Sequence, residues 1–197
     1  MAGIRYGIDV DETLLALLPS LIQFNNEVHG TKIRLEDFTS YVLYPVMCRN
    51  LEETTKRLHQ FYNTPYFQDI QPVPGASEGV ARLRKNGTLH AITSREKIIT
   101  LETKTQIKTI FSPASFLTLN FTNNHTLEQN TGITKPEVCR KLKIDIMIED
   151  CLEHALDCSK VVGFVYLLDL NHEYVWNHTD KPLPGNVKRV YSWDEIE

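Results

Sequence analysis

No apolar run in this 197-residue chain comes near the roughly 20 residues that span a bilayer. The opening residues, Met1-Ala2-Gly3-Ile4-Arg5-Tyr6, lack the apolar stretch of a secretion signal. Cysteine is scarce, and Cys48, Cys139, Cys151 and Cys158 form no CxxC pair. Reduced thiols in a cytoplasmic protein are therefore expected, and the Asn-x-Thr sequons at Asn120, Asn124 and Asn177 are read as coincidental. A basic excess is also missing: Lys and Arg number 21 against 25 Asp and Glu, for a net charge of −4. That excludes a nucleic acid polymer as the main partner, and no membrane partner is expected. Repeats and low-complexity tracts are absent. What remains is an ordinary globular balance, 42% hydrophobic and 23% charged, enough for a sizeable core.

Apolar segments alternate with helical ones, the pattern of a parallel α/β sheet. Strands are predicted at Arg5–Val10, Leu89–Thr93, Ser115–Asn120, Ile144–Ile148 and Val161–Leu168, with a short last strand near Val187–Tyr191 and a turn over Trp193–Glu197. Helices are predicted at Ala76–Lys85, Glu96–Ile110, Lys135–Leu142 and Leu152–Cys158. The alternation breaks between the first strand and Pro72-Val73-Pro74-Gly75. That segment is far longer than a βα crossover needs. It contains amphipathic helices over Leu14–Val28 and Leu51–Tyr62, joined by loops rich in aromatics and proline. It reads as a small helical cap, residues 17–71, inserted in a core of residues 1–16 and 72–197. The fold class is α/β, a Rossmann-like parallel sheet with helices on both faces.

Four places carry chemistry, each at a strand end or helix start. Asp9 and Asp11 follow an apolar strand, where burying carboxylates is costly without a cation or hydrogen bonds. Asp11 alone also reads as a helix cap. Thr93-Ser94-Arg95 ends the second core strand, suiting a hydroxyl and backbone clamp for phosphate, or simply a cap. Lys135 opens a helix beside Pro136, where it either points inward or is a solvated lysine. Lys141 and Lys143 compete for the inward role, and the position at the helix start favours Lys135. Glu149-Asp150 repeat the strand-end acid pattern and supply hard oxygen ligands of the kind Mg²⁺ takes.

The order Asp-x-Asp-x-Thr, Thr-Ser, Lys, Glu-Asp resembles the haloacid dehalogenase superfamily of phosphohydrolases. Within it the chain is most similar to the 5'(3')-deoxyribonucleotidase-like branch. Phe38-Thr39-Ser40-Tyr41, Phe61-Tyr62-Asn63-Thr64-Pro65-Tyr66-Phe67, Pro72-Val73-Pro74-Gly75-Ala76 and Ile148-Glu149-Asp150-Cys151-Leu152-Glu153-His154-Ala155 carry the likeness as well. The resemblance implies Asp9 as nucleophile and Asp11 as general acid and then base. It implies Mg²⁺ held by Asp9, the Asp11 carbonyl and Asp150, with Glu149 on a metal-bound water. Phosphate would be bound by Thr93, Ser94 and Lys135. Arg95 is a candidate substrate contact. Tyr44, Tyr66 and Phe67 are cap candidates for stacking a base, along with Tyr41 and Tyr62, and ordinary cap packing is the alternative reading. His154 reads as a packed or surface residue; His125, His172 and His178 fall in polar loops without ligand spacing. Residues 171–184 depart from the relatives.

The implied activity is hydrolysis of a small phosphomonoester, foremost a (deoxy)nucleoside monophosphate. A sugar-phosphate or other metabolite phosphatase is the alternative, and a catalytically silent binding protein on the same scaffold is a third. Oligomeric state is not legible in the sequence.

Overall fold

The computed structural model describes residues 3–122 and 132–197. His125 and the sequon at Asn124 lie outside the described residues. Six strands form one parallel sheet: β1 (Ile4–Ile8), β2 (Gly87–Thr93), β3 (Thr118–Phe121), β4 (Ile146–Glu149), β5 (Phe164–Leu168) and β6 (Val187–Val190). Their order is β3-β2-β1-β4-β5-β6. The chain order reverses at β1, where Ile8 pairs with Ala91 on one side and Ile148 on the other. Ligands of open α/β sheets bind outside the carboxyl ends of the strands at such a reversal.

Neighbouring strand residues face opposite sides of the sheet, so two cores form. Tyr6, Ile8, Leu89, Ala91, Ile148 and Leu168 pack on one face. That face is covered by α5 (Ala76–Asn86), through Ala76, Val80 and Leu83, and by Trp193 and Ile196 near the C-terminus. Ile92, Met147, Val165 and Leu167 pack on the other, under α7 (Lys135–Leu142) and α8 (Leu152–Ser159). α6 (Thr100–Phe111) precedes the edge strand β3.

Between β1 and α5 lie α1 (Leu17–His29), α2 (Tyr44–Met47), α3 (Leu51–Tyr62) and α4 (Pro65–Gln68). The two connections to the core run side by side. Ala16 N–H donates to the Gln71 carbonyl at 2.9 Å and Val73 N–H to the Leu14 carbonyl at 2.9 Å. These helices pack around Phe24, Phe61 and Phe67, with ring centroids 5.5 Å apart for Phe24–Phe61 and 5.4 Å for Phe61–Phe67, and this packing is continuous with the core on the α5 face of the sheet. No helix of the described residues is long and apolar enough to cross a membrane.

Several sequence expectations shift at their ends. β1 stops at Ile8, although Asp9 N–H still donates to the Ile148 carbonyl at 3.0 Å. The first helix begins at Leu17, not Leu14, because the Leu14 and Leu15 amides turn back to the Val10 carbonyl at 2.9 and 2.8 Å. The helix expected from Glu96 starts with a 3₁₀ turn, Lys97–Ile99, since Glu96 itself is extended (ψ 145°). Ser115 falls outside β3 because the chain turns at Ser112, with φ 74°. Residues 161–163 form a turn before β5, with the Val161 and Val162 amides bound to the Cys158 carbonyl. The stretches around Tyr44 and Pro65, expected as loops, contain single helical turns with proline at the start.

Trp193 ties this frame to the loop after β1. Its Nε1–H donates to the Thr13 carbonyl at 3.0 Å and its side chain is buried against α5. Gly79 makes room for the ring, since a Cβ there would lie 2.2 Å from Trp193 Cε3. Gly79→Ala is expected to lower stability by about 1–3 kcal/mol through overpacking. Urea denaturation measures it; wild-type stability would show that the ring is not fixed against this helix.

Candidate active site

Asp9 is the residue following β1, and Glu149 and Asp150 end and follow β4, so the switch point sets the three acids together. One oxygen from each lies within 4.8 Å of the others, and all three are buried. α7 projects Lys135 into them. A capping box fixes the start of that helix: Glu137 N–H donates to Thr134 Oγ1, and Thr134 N–H to Glu137 Oε2 at 2.7 Å. From there Lys135 Nζ reaches Asp9 Oδ1 at 2.7 Å and the two oxygens of Glu149 at 3.0 and 2.8 Å. Lys135 is 1% exposed. Lys141 and Lys143, its competitors in sequence, are exposed.

Two of the three carboxylates, Asp9 and Glu149, share one ammonium, and Asp150 lies beside them without touching it. Burial and the neighbouring Glu149 push Asp9 up to about 6, against the pull of Lys135. Burial together with Asp9 and Glu149 holds Asp150 well above the ordinary carboxylate range. Glu149 is the exception: burial raises it, but Lys135 wins and its pKa falls. Burial works against the Lys135 ammonium too, yet Asp9 and Glu149 outweigh it and hold its pKa well above normal. With all three acids ionised, the cluster carries a surplus of two negative charges. Hard oxygen donors with that surplus fit a divalent cation such as Mg²⁺.

Asp150 is held on both oxygens. Thr13 Oγ1 donates to Oδ1 at 3.4 Å, and Trp176 Nε1–H donates to Oδ2 at 3.0 Å. Asp11 sits apart, facing the pocket mouth. Arg95 grips it with Nε at 3.0 and 3.1 Å from its two oxygens and Nη2 at 2.7 Å from Oδ1. Arg95 is 3% exposed, and Nη1 donates to Thr103 Oγ1 at 3.0 Å and Gln106 Oε1 at 2.7 Å. Thr93 and Ser94 are buried at the end of β2, next to β1. Thr93 Oγ1 accepts the Arg95 amide at 3.1 Å.

The comparisons with known proteins bear on this arrangement. The family model for 5' nucleotidase, deoxy (pyrimidine), cytosolic type C protein matches residues 3–197. The chain belongs to that family. It is a hydrolase of the haloacid dehalogenase superfamily, a phosphatase of the 5'-nucleotidase type. A nucleotidase of Clostridium acetobutylicum is 25% identical over 196 residues, covering 100% of this chain and 93% of its own. Among solved structures, a predicted phosphatase from Clostridium acetobutylicum aligns with TM-score 0.64 and 15% identity over 100% of this chain and 97% of that one. The HAD-hydrolase YfnB from Bacillus subtilis, bound to magnesium, aligns with TM-score 0.63 and 11% identity over 100% and 97%. These two likenesses speak for the fold alone.

Above the acids of this nucleotidase-family core lies a largely apolar pocket. Its walls include Phe38, Tyr41, Leu43, Leu58 and Tyr62 from the segment of α1–α4, and Trp176 from the loop after β5. The cap residues proposed from sequence as substrate contacts are placed differently. Tyr44 is 40% exposed and outside the lining. Tyr66 turns its hydroxyl to Glu27 at 2.5 Å. Phe67 is fully buried and forms a platform 5.2 Å beneath the Arg95 guanidinium. Arg95 itself lines the pocket, but its fork is occupied by Asp11. Tyr41 and Tyr62, also proposed, do line it.

Sequence reasoning missed four contributors. Glu12, at φ 56°, is the acid that caps α1: its Oε1 accepts Leu18 N–H at 2.6 Å, a role read for Asp11. Burial and nearby Asp11 hold Glu12 well above the usual carboxylate range. His154 places Nδ1 3.5 Å from Glu149 Oε1 and packs edge-on against Tyr41, with centroids 4.8 Å apart. Trp176 and Tyr174 come from the segment of residues 171–184, which the sequence marked only as departing from the relatives. His172 and His178 lie away from these acids, beside Asp180 and Arg189.

Removing the Arg95 charge leaves Asp11, Thr103 and Gln106 without their shared donor. Arg95→Met is expected to cost about 2 kcal/mol, less than a fully buried pair because Asp11 reaches water. Chemical denaturation of the two proteins tests this, and an unchanged midpoint would show the pair to be dispensable for the fold.

Proposed function

We propose that this chain is a Mg²⁺-dependent phosphatase acting on a nucleoside monophosphate through an aspartyl-phosphate. The observation that carries the proposal is the buried cluster of Asp9, Glu149 and Asp150, the first two paired to Lys135, under a pocket lined by aromatic residues. A phosphoryl group brings negative charge into a site that already holds it, so a cation must accompany it. Asp9, the Asp11 carbonyl and Asp150 would hold Mg²⁺, which when bound neutralises charge on the phosphoryl oxygens; Glu149 would orient a water on it.

The chain's own groups then divide the work. One Asp9 oxygen attacks phosphorus while the ester bond to the leaving oxygen breaks. Asp11 gives that oxygen a proton, and in the second half takes one from the water that cleaves the aspartyl-phosphate. Asp11 is paired to Arg95, so the acid role requires that pair to open. Incoming phosphate is a natural competitor for the guanidinium. Lys135 Nζ, held between Asp9 and Glu149, keeps the nucleophile ionised and offers a donor to a phosphoryl oxygen. Thr93 and the Ser94 amide would take the remaining oxygens. A nucleobase suits the pocket, because the aromatic side chains of Tyr41, Tyr62 and Trp176 are among its lining.

Phosphate release across a panel of nucleotides and sugar phosphates tests the reading. Nucleoside monophosphates are expected to lead, with activity lost in EDTA and restored by Mg²⁺. Asp9→Asn is expected to slow turnover on the order of 10³-fold or more. A variant as fast as wild type would remove Asp9 as nucleophile.

A further inference from the structure

The loop after β5 reaches across the molecule and grips both acidic motifs with two stacked rings. Tyr174 and Trp176 lie with centroids 4.5 Å apart and planes 20° apart. The Tyr174 hydroxyl donates to the Glu12 carbonyl at 2.9 Å, beside Asp11. Trp176 Nε1–H donates to Asp150 Oδ2 at 3.0 Å and lies 3.2 Å from the Asp150 carbonyl. The loop is built to present these groups. Buried Asp169 accepts Tyr174 N–H at 3.0 Å and pairs with Arg189 at 3.1 Å. Asn177 Nδ2 donates to the Leu168 carbonyl at 2.8 Å, anchoring the far end to β5.

We infer that Trp176 is a positioning residue: its indole N–H sets the Asp150 carboxylate for the cation, while its ring forms a wall of the substrate pocket. This rests on the Mg²⁺ site proposed above. An indole N–H can only donate, so Trp176 cannot itself ligate a cation or act as a base. What it can do is stop rotation of Asp150. With Thr13 on Oδ1 and Trp176 on Oδ2, the carboxylate is pinned from two sides. Partners of this kind behind a metal ligand govern affinity because they hold the ligand's lone pairs in place. Trp176 adds a second property, since both it and Asp150 border the pocket.

Trp176→Phe keeps the ring and removes the N–H. Titration calorimetry with Mg²⁺ alone is expected to show roughly 10–100-fold weaker binding than wild type. In turnover, the Mg²⁺ concentration for half activity is expected to rise, and saturating Mg²⁺ is expected to restore part of the lost rate. A merely structural role would lower stability without this shift in Mg²⁺ dependence. A second measurement needs no variant. In the assigned ¹H–¹⁵N spectrum of the wild type, the Trp176 indole resonance is expected to shift on Mg²⁺ addition while that of Trp193 stays. Unchanged Mg²⁺ affinity in Trp176→Phe, or an unmoved Trp176 resonance while Mg²⁺ binds, overturns this inference alone. No Mg²⁺ binding by the wild type overturns the proposed metal site, and the inference with it.

Discussion

The ammonium of Lys135 holds the centre of this molecule in a charge state it could not otherwise keep. Each ionised carboxylate moved into the interior loses several kcal/mol of hydration. Attraction at 2.7 or 2.8 Å returns about 6 kcal/mol per contact at an effective dielectric near 20. One lysine can therefore offset the burial of Asp9 and Glu149, which it touches. It does not touch Asp150, whose pKa is pushed upward by burial and by those same neighbours. The capping box at Thr134 and Glu137 matters for this reason, because it fixes the helix end from which Lys135 extends.

The loop that carries Asp9 and Asp11 is pinned by groups distant in sequence. Glu12 occupies a left-handed conformation that costs a non-glycine residue about 1 kcal/mol or more. Its side chain caps α1, its carbonyl takes the Tyr174 hydroxyl, and the next carbonyl takes the Trp193 indole. The turn is thereby over-determined from three directions. Such a turn keeps Asp9 against β4 while sending Asp11 the other way, toward Arg95. Two carboxylates that the sequence sets two positions apart end up with different partners.

The parts legible in the sequence were those that violate burial. Acids behind apolar strands, at Asp9 and at Glu149-Asp150, stand out because each is expensive without a partner, and Lys135 stood out by its place at a helix start. The structure brings these four side chains together. The sheet was legible for a similar reason, since strands covered on both faces read as continuous apolar runs. Partnerships between distant loops were not. Nothing local says that Glu12 rather than Asp11 caps a helix, or that Trp176 donates to Asp150 across 26 positions. Tyr66 and Phe67 were marked as aromatic but not as facing inward or outward, which depends on where a four-residue helix happens to lie.

Arg95 shows why the segment of α1–α4 and the loop after β1 cannot be treated separately. Its guanidinium holds Asp11 on one edge and Gln106 on the other. Gln106 in turn donates to the Phe67 carbonyl in α4, and the Phe67 ring lies under the same guanidinium. His59 of α3 meets Glu96, the next residue along, at 2.9 Å. Displacing α4 thus removes both the ring beneath Arg95 and the acceptor that orients Gln106. The guanidinium fork is planar and rigid, so a tilt at one edge moves the other. The orientation of Asp11 is therefore a function of where α3 and α4 sit. The carboxylate of Asp11 is thus held where it is through contacts that run from Arg95 to the segment walling the pocket.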